Sequence, residues 1–351
     1  MDTTHTIESV IEQLRAGKDL ARGQAKWVFD RMMSGDVDER DFKALLTALV
    51  DKGESVDELV GAAEAMRAKV VRINCDAECI DTCGTGGDGI STYNVSTTAA
   101  IIAAAAGATV AKHGNRSTSR VSGSTEVLTE LGIDVEADVE VVERCLREAR
   151  IGYLNARNLH PAMKHAAPIR QALPFRTTFN LLGPLTNPAG ARRQVLGVPR
   201  PELVEKLGRA LLELGAKHAW VVHGDGLCDL TVTGSTTVVE VREGELRRFA
   251  VDPKDVGLGR ASMDDLLVSS PKASAEAVLR ILDGEAGPKR DHALLNAGAA
   301  LVVAGVATDL GVGVALASEA IDDGRARETL DRWRSLGGVG SAGGHRSESP
   351  S

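Results

Sequence analysis

A chain of 351 residues with a 43% hydrophobic and 26% charged composition has room for two globular domains. Its formal charge of −8 argues against a non-specific grip on nucleic acid or an anionic membrane surface. The longest small-residue run, 99–108, falls well short of the roughly 20 residues a membrane span needs. Residues 1–5 carry no basic segment leading into an apolar core, so a cytoplasmic protein is expected.

From residue 6 to about 70 the pattern is helical throughout. Ile7, Val10, Ile11 and Leu14 keep helical spacing, as do Phe42, Leu45, Leu46 and Leu49. Turns fall at Ser34-Gly35-Asp36 and Lys52-Gly53-Glu54, with Ser55 as an N-cap. Of the five cysteines, Cys75, Cys79 and Cys83 recur every fourth residue. Zinc sites use tighter pairs and a fourth ligand, and an odd number argues against a disulfide framework, so these read as reduced, partly buried thiols.

After Asn74 short apolar runs alternate with helices. Strands are expected at 79–82, 109–111, 152–155, 195–198 and 219–222, with helices at 96–106, 124–131, 139–149 and 201–214. Such alternation implies a mostly parallel sheet covered by helices. A β-ribbon with a turn at Glu243-Gly244-Glu245 spans 231–251, helices then run to 336, and the glycine- and serine-rich tail 337–351 reads as disordered. The predicted organisation is a helical domain over 1–72, an α/β domain over 73–336 and the tail.

Two loops carry chemistry. Asp81-Thr82-Cys83-Gly84-Thr85-Gly86-Gly87-Asp88 leaves the first strand, and Asn94-Val95-Ser96-Thr97 opens the next helix. Glycines let backbone N–H groups approach an anion, and a helix start adds free donors and a positive dipole end. Asn94, Ser96 and Thr97 carry oxygens suited to capping, to phosphate or to a magnesium shell. The order matches neither a dinucleotide fingerprint nor a nucleotide P-loop. The second strand runs into Lys112-His113-Gly114-Asn115-Arg116-Ser117-Thr118-Ser119-Arg120, which places basic tips, an amide and hydroxyls beside the first loop. Either loop alone is an ordinary structural turn; their coincidence favours a multi-phosphate pocket.

Together with His160-Pro161-Ala162-Met163, Arg170 and the run Arg176-Thr177-Thr178-Phe179-Asn180-Leu181-Leu182-Gly183-Pro184-Leu185-Thr186-Asn187-Pro188, these motifs closely resemble the anthranilate phosphoribosyltransferases. The resemblance covers 6–333. It implies a fold of the nucleoside phosphorylase/phosphoribosyltransferase type: a small all-helical domain joined to a larger α/β domain, with part of 165–190 returning to the helical unit. It implies homodimers, a Mg2+ requirement, and transfer of phosphoribose from phosphoribosyl pyrophosphate to anthranilate on the way to tryptophan.

Carried over by position, Gly84, Gly87, Asp88, Thr92, Asn94, Val95, Ser96 and Thr97 would hold the donor, with Ser96 also on magnesium. Lys112, His113, Gly114, Asn115, Arg116, Ser117, Thr118, Ser119, Arg120 and Ser124 would surround phosphate and ribose. Asn115 and Arg170 would meet anthranilate. His113 stands equally as a proton acceptor or as a structural hydrogen-bonding group. The resemblance also exposes departures. An Asp-Glu pair that holds magnesium in such enzymes is replaced by Cys228-Asp229, and Arg120 stands in place of a hydroxyl residue. A neutral thiol is a poor partner for a hard cation, so a second metal site is expected to be weakened, with Asp225 as a candidate replacement. A pyrimidine nucleoside phosphorylase, with the same architecture, and a non-catalytic relative binding phosphoribosyl compounds remain the alternatives.

Overall fold

The computed structural model describes residues 6–117 and 120–337. The expectations for 1–5, Thr118, Ser119 and the tail beyond 337 lie outside the described residues. Four helices come first: α1 (Ile7–Arg15), α2 (Arg22–Ser34), α3 (Glu39–Lys52) and α4 (Val56–Arg67). Side-chain caps start three of them: Thr6, Asp38 and Ser55 each accept a hydrogen bond from the N–H three residues on. Lys52 and Glu58, almost wholly buried, pair at 2.9 Å and tie α3 to α4.

The α/β part follows in the order β1 (Ile80–Gly84), α5 (Val95–Ala105), β2 (Val110–Gly114), α6 (Ser124–Glu130), α7 (Val139–Glu148) and β3 (Ile151–Asn155). Short helices α8 (Ala156–Leu159), α9 (Ala167–Gln171) and α10 (Phe179–Leu182) lead to β4 (Arg193–Gly197), α11 (Glu202–Glu213) and β5 (His218–Gly224). The hairpin β6 (Thr236–Arg242) and β7 (Glu245–Val251) precedes α12 (Pro271–Leu282), α13 (Pro288–Ala304), α14 (Leu310–Asp322) and α15 (Arg325–Gly337). The seven strands form one sheet in the order β3-β2-β1-β4-β5-β6-β7, parallel through β5 and antiparallel at β6 and β7. The ribbon starts at Thr236 rather than 231 because Thr231 donates its N–H to the Thr236 hydroxyl, which closes a turn instead of extending the ladder. Gly337 ends α15 rather than opening the tail: its carbonyl accepts from the Asp134 N–H at 2.8 Å.

Alternating residues of β4, β5 and β6 feed two cores, and a third, smaller cluster takes Ala111 of β2 and Leu154 of β3. Val195, Trp220, Val222 and Val238 face α5, α12, α13, α14 and α15. Leu196, Ala219, Val221, Val239 and Val241 face α11, whose far side continues into the core of α1–α4. The alanines of α5 are buried together with Ala297 and Ala300 of α13, so the two helices meet over small side chains. In mid-chain, Ala166, Phe179, Leu181, Leu182 and Leu185 join the helical core rather than the sheet, and Phe179 packs against Phe29 and Phe42 at ring-centre distances of 5.3 and 6.4 Å.

Candidate active site

The chain leaves β1 for β2 and β3 on one side and returns to β4 on the other, so the carboxyl ends of β1 and its neighbours border a topological switch point, the usual ligand crevice of an open α/β sheet. A cleft opens there, lined by the glycine loop, the start of α5, the end of β2 and the 228–229 turn. Of the residues singled out in the sequence, it is lined by Gly84, Gly87, Asn94, Ser96, Lys112, His113, Gly114, Asn115, Arg116, Ser117, Arg120, Ser124, Cys228 and Asp229.

The glycine loop is shaped by what crosses it. Gly87 has φ +95°, and a Cβ there would run into the guanidinium of Arg176, which donates to the Thr85 carbonyl at 2.7 Å. Gly197, at the end of β4, leaves no room for a Cβ against the Cys228 carbonyl, which lets the 225–229 turn fold over the cleft. Asn94 caps α5 by accepting the Thr97 N–H at 3.1 Å, and the Ser96 hydroxyl donates to the same oxygen.

Lys112 is 1% exposed, yet its ammonium reaches only neutral acceptors, the Thr82 carbonyl at 2.7 Å and the Ser96 hydroxyl at 3.2 Å. Burial lowers its pKa, against the pull of Asp81. A buried cation with neutral partners at the floor of a cleft is set up for an incoming anion. Asp81 lies behind it, wholly buried, and accepts from the His113 N–H, from Asn187 Nδ2 at 2.9 Å and from Gln194 Nε2.

The His113 ring has a hydrogen-bonding neighbour at each nitrogen. Its Nδ1 faces the Gly183 carbonyl at 3.1 Å, and a carbonyl only accepts, so Nδ1 carries the hydrogen. Nε2 then accepts from His160 Nε2 at 3.2 Å, which uses its lone pair. Burial, then the neighbouring His160, pushes the His113 pKa down to about 3, and burial takes His160 down to about 4.

The acidic corner is built around Asp88. Arg120 donates to it through both Nε and Nη2, the Cys228 N–H donates to its Oδ2 at 3.1 Å, and Arg120 Nη2 lies 3.8 Å from Asp229 Oδ2. Burial would raise the Asp88 pKa, but Arg120 and Cys228 bring it below the ordinary value. Asp229 goes the other way: burial, with Asp88 adding to it, raises it to about 7 against the pull of Arg120 and Lys112. Burial holds the Cys228 thiol well above its usual range.

Some singled-out residues stand apart. Thr92 and Val95 are buried behind the cleft, Thr92 bridging to Leu267, and Thr97 is buried in the first turn of α5. Asp225 is exposed and accepts from the Thr233 hydroxyl at 2.7 Å, turned away from the cleft lining. Arg170 sits over the Phe179 ring at 5.4 Å, with its Nε buried and unpaired among the described residues. Two residues had not been singled out. Arg176 lines the cleft, and its place in the Arg-Thr-Thr-Phe-Asn run could have marked it; Ser122, whose buried hydroxyl has no partner among the described residues, carried no signal beyond its neighbours Gly123 and Ser124.

For magnesium, no group of three His, Cys, Asp or Glu side chains converges among the described residues. Magnesium keeps several waters and takes one or two protein oxygens plus substrate phosphates, and here the Ser96 hydroxyl and the Asp229 carboxyl line one cleft. That donor set fits a magnesium ion carried on a phosphorylated ligand.

Comparison with known proteins agrees over most of the chain. Residues 8–70 match the glycosyl transferase family, helical bundle domain, and 76–327 match the glycosyl transferase family, a/b domain. An anthranilate phosphoribosyltransferase of Anaeromyxobacter dehalogenans is 51% identical over 325 residues, 92% of this chain and 96% of that protein. The crystal structure of the Thermus thermophilus anthranilate phosphoribosyltransferase superposes with TM-score 0.88 at 42% identity, covering 93% of this chain and 98% of the other. The Saccharomyces cerevisiae enzyme, solved in complex with PRPP and Mg, gives TM-score 0.86 at 25% identity, with coverages of 95% and 98%. With a helical bundle, a mostly parallel sheet, a phosphate-type cleft and half-identical relatives along nearly its full length, the chain belongs to the anthranilate phosphoribosyltransferase family.

Proposed function

We propose that this chain transfers the 5-phosphoribosyl group from phosphoribosyl pyrophosphate to anthranilate, releasing pyrophosphate and N-(5-phosphoribosyl)anthranilate for tryptophan biosynthesis. The observation that carries this reading is the cleft in which the glycine loop, the start of α5 and the buried Lys112 converge. A bond forms between the anthranilate nitrogen and ribose C1, the bond from C1 to the pyrophosphate oxygen breaks, and the amine releases a proton. The acceptor amine is neutral, so no activated nucleophile is needed, and the work is positioning and charge stabilisation.

Backbone N–H groups of 84–87, the Ser96 hydroxyl and Lys112 take up charge on the leaving group. Magnesium would further neutralise pyrophosphate, with Ser96 as the oxygen this chain offers it and Asp229, beside Arg120, at the weakened second site. Asn115, Arg116, Ser117 and Ser124 belong to the phosphate and ribose end. Burial, and then the neighbouring Arg176, lowers the Arg170 pKa, and a carboxylate such as that of anthranilate would favour the charge on both guanidinium groups. The amine proton leaves without His113, whose lone pair is held by His160.

The protein acts in the cytoplasm as a homodimer. The test is to mix the purified chain with phosphoribosyl pyrophosphate, MgCl2 and anthranilate, and to follow the loss of anthranilate fluorescence. Consumption of anthranilate, together with rescue of a tryptophan auxotroph, is expected. Phosphorolysis of thymidine or uridine without any loss of anthranilate would refute the assignment.

A further inference from the structure

Two departures from the family pattern, Arg120 and Cys228, are far apart in sequence and meet at one carboxylate. Asp88, with no exposed side-chain surface, accepts from Arg120 on both oxygens and from the Cys228 N–H on Oδ2. The guanidinium then reaches within 3.8 Å of Asp229, the one acid left in the altered pair. Arg120 is itself 17% exposed at the side chain, held in the cleft wall rather than in solvent. Where the resemblance has an added acid and a hydroxyl residue, this chain has lost the carboxylate and gained a cation, and both changes touch Asp88.

Resting on the donor assigned above, we propose that the Arg120 guanidinium supplies, as a fixed charge, what a second divalent cation would bring to the pyrophosphate, so that this chain binds its donor with one Mg2+. A guanidinium has no lone pair for a metal and repels one placed beside it, so Arg120 and a second ion compete for the same corner. Cys228 adds nothing to hold such an ion, because a hard dication prefers oxygen to a thiol. The fork has five N–H donors, more than the two Asp88 oxygens use, and the rest can address phosphate oxygens in a planar pattern. Asp88 is thus a positioning residue: it aims the guanidinium, and through the Cys228 N–H it fixes the turn that carries Asp229.

The test counts metal ions directly. Mn2+ is titrated into the full-length protein saturated with phosphoribosyl pyrophosphate, and bound ions are read by electron paramagnetic resonance. One ion per chain is expected for the natural protein and for Cys228→Asp, in which Arg120 still fills the corner. Two are expected for Arg120→Ser/Cys228→Asp. By calorimetry at saturating Mg2+, Arg120→Ser alone is expected to raise the donor dissociation constant about tenfold or more. Two ions in the natural protein, or in Cys228→Asp alone, would overturn the inference. Two ions together with normal transfer to anthranilate would leave the proposed reaction standing. One ion without transfer would instead overturn the acceptor and leave the role of Arg120 intact. Should Arg120→Ser fold poorly, the Cys228→Asp count still decides.

Discussion

At the scale of single residues, the cleft holds charge and strain that the empty protein does not need. Lys112 keeps an ammonium against neutral oxygens, a burial that costs stability, is offset in part by nearby Asp81 and is offset further when an anion arrives. Lys112→Met is therefore expected to leave the unfolding free energy unchanged or raise it by about 1–3 kcal/mol, while weakening donor binding at least tenfold. Urea denaturation and donor calorimetry on the same sample check the two halves. Gly87→Ala strikes both a left-handed backbone and the Arg176 guanidinium. It is expected to cost about 1–3 kcal/mol of stability and to raise the donor KM, with Arg176 displaced from the Thr85 carbonyl. Gly87, Ser96 and Lys112 could be read from the sequence, because each is a residue type with a restricted job in a loop that directly follows a strand. Arg120 could be read as a cation but not as the partner of Asp88, since nothing in the spacing of 88, 120 and 228 brings them together.

At the scale of elements, the strands and helices follow their patterns because their side chains are sorted by local rules. Ser55 caps α4 where a serine precedes an apolar run, and the residues of β4, β5 and β6 alternate between two cores. What local pattern could not give is the clamp across strands. Asp81 on β1 accepts from the β2 backbone at His113, from Asn187 and from Gln194 on β4, and so fixes the relative height of three strand ends beneath the cleft. Asp81→Ala leaves buried donors without an acceptor and is expected to cost about 3 kcal/mol or more in urea denaturation. A loss below about 1 kcal/mol would mean that those donors find other partners. The 161–185 segment was likewise illegible from its own residues. Its apolar positions are too few for a periodic signal, and its own residues did not show that Phe179 packs on Phe29 and Phe42 or that Thr178 donates to Glu54.

At the scale of the whole molecule, buried histidines link folding to pH. Burial holds His292 at about 4, as it does His160, and it holds His113 at about 3. All three lie below the unfolded value of roughly 6.5, so at these positions the unfolded chain takes up protons first as pH falls, while Asp229, raised to about 7 in the folded chain, offsets part of that effect. Stability is thus expected to be flat above about pH 7. Towards pH 4 it should fall, by up to about 1.4 kcal/mol per pH unit for each histidine that takes up its proton only on unfolding. Denaturant midpoints at pH 7.5, 6 and 5 measure the slope. His292→Gln, away from the cleft, should flatten it. A midpoint that stays pH-independent in Asp229→Asn as well would show that the histidines accept protons in the folded state.

The return of 161–185 to the helical unit also sets an order of events during synthesis. Helices α1–α4 leave the ribosome complete in sequence but without Phe179, Leu182 and Leu185, which belong to their core. At roughly 5–20 residues per second, that gap lasts on the order of ten seconds. During that interval the bundle carries an open apolar notch between Phe29 and Phe42, and β1, β2 and β3 emerge before it is filled. The nascent chain therefore cannot finish its first unit before three of its seven strands have emerged, and the interval before Phe179 arrives is when a chaperone has most to cover.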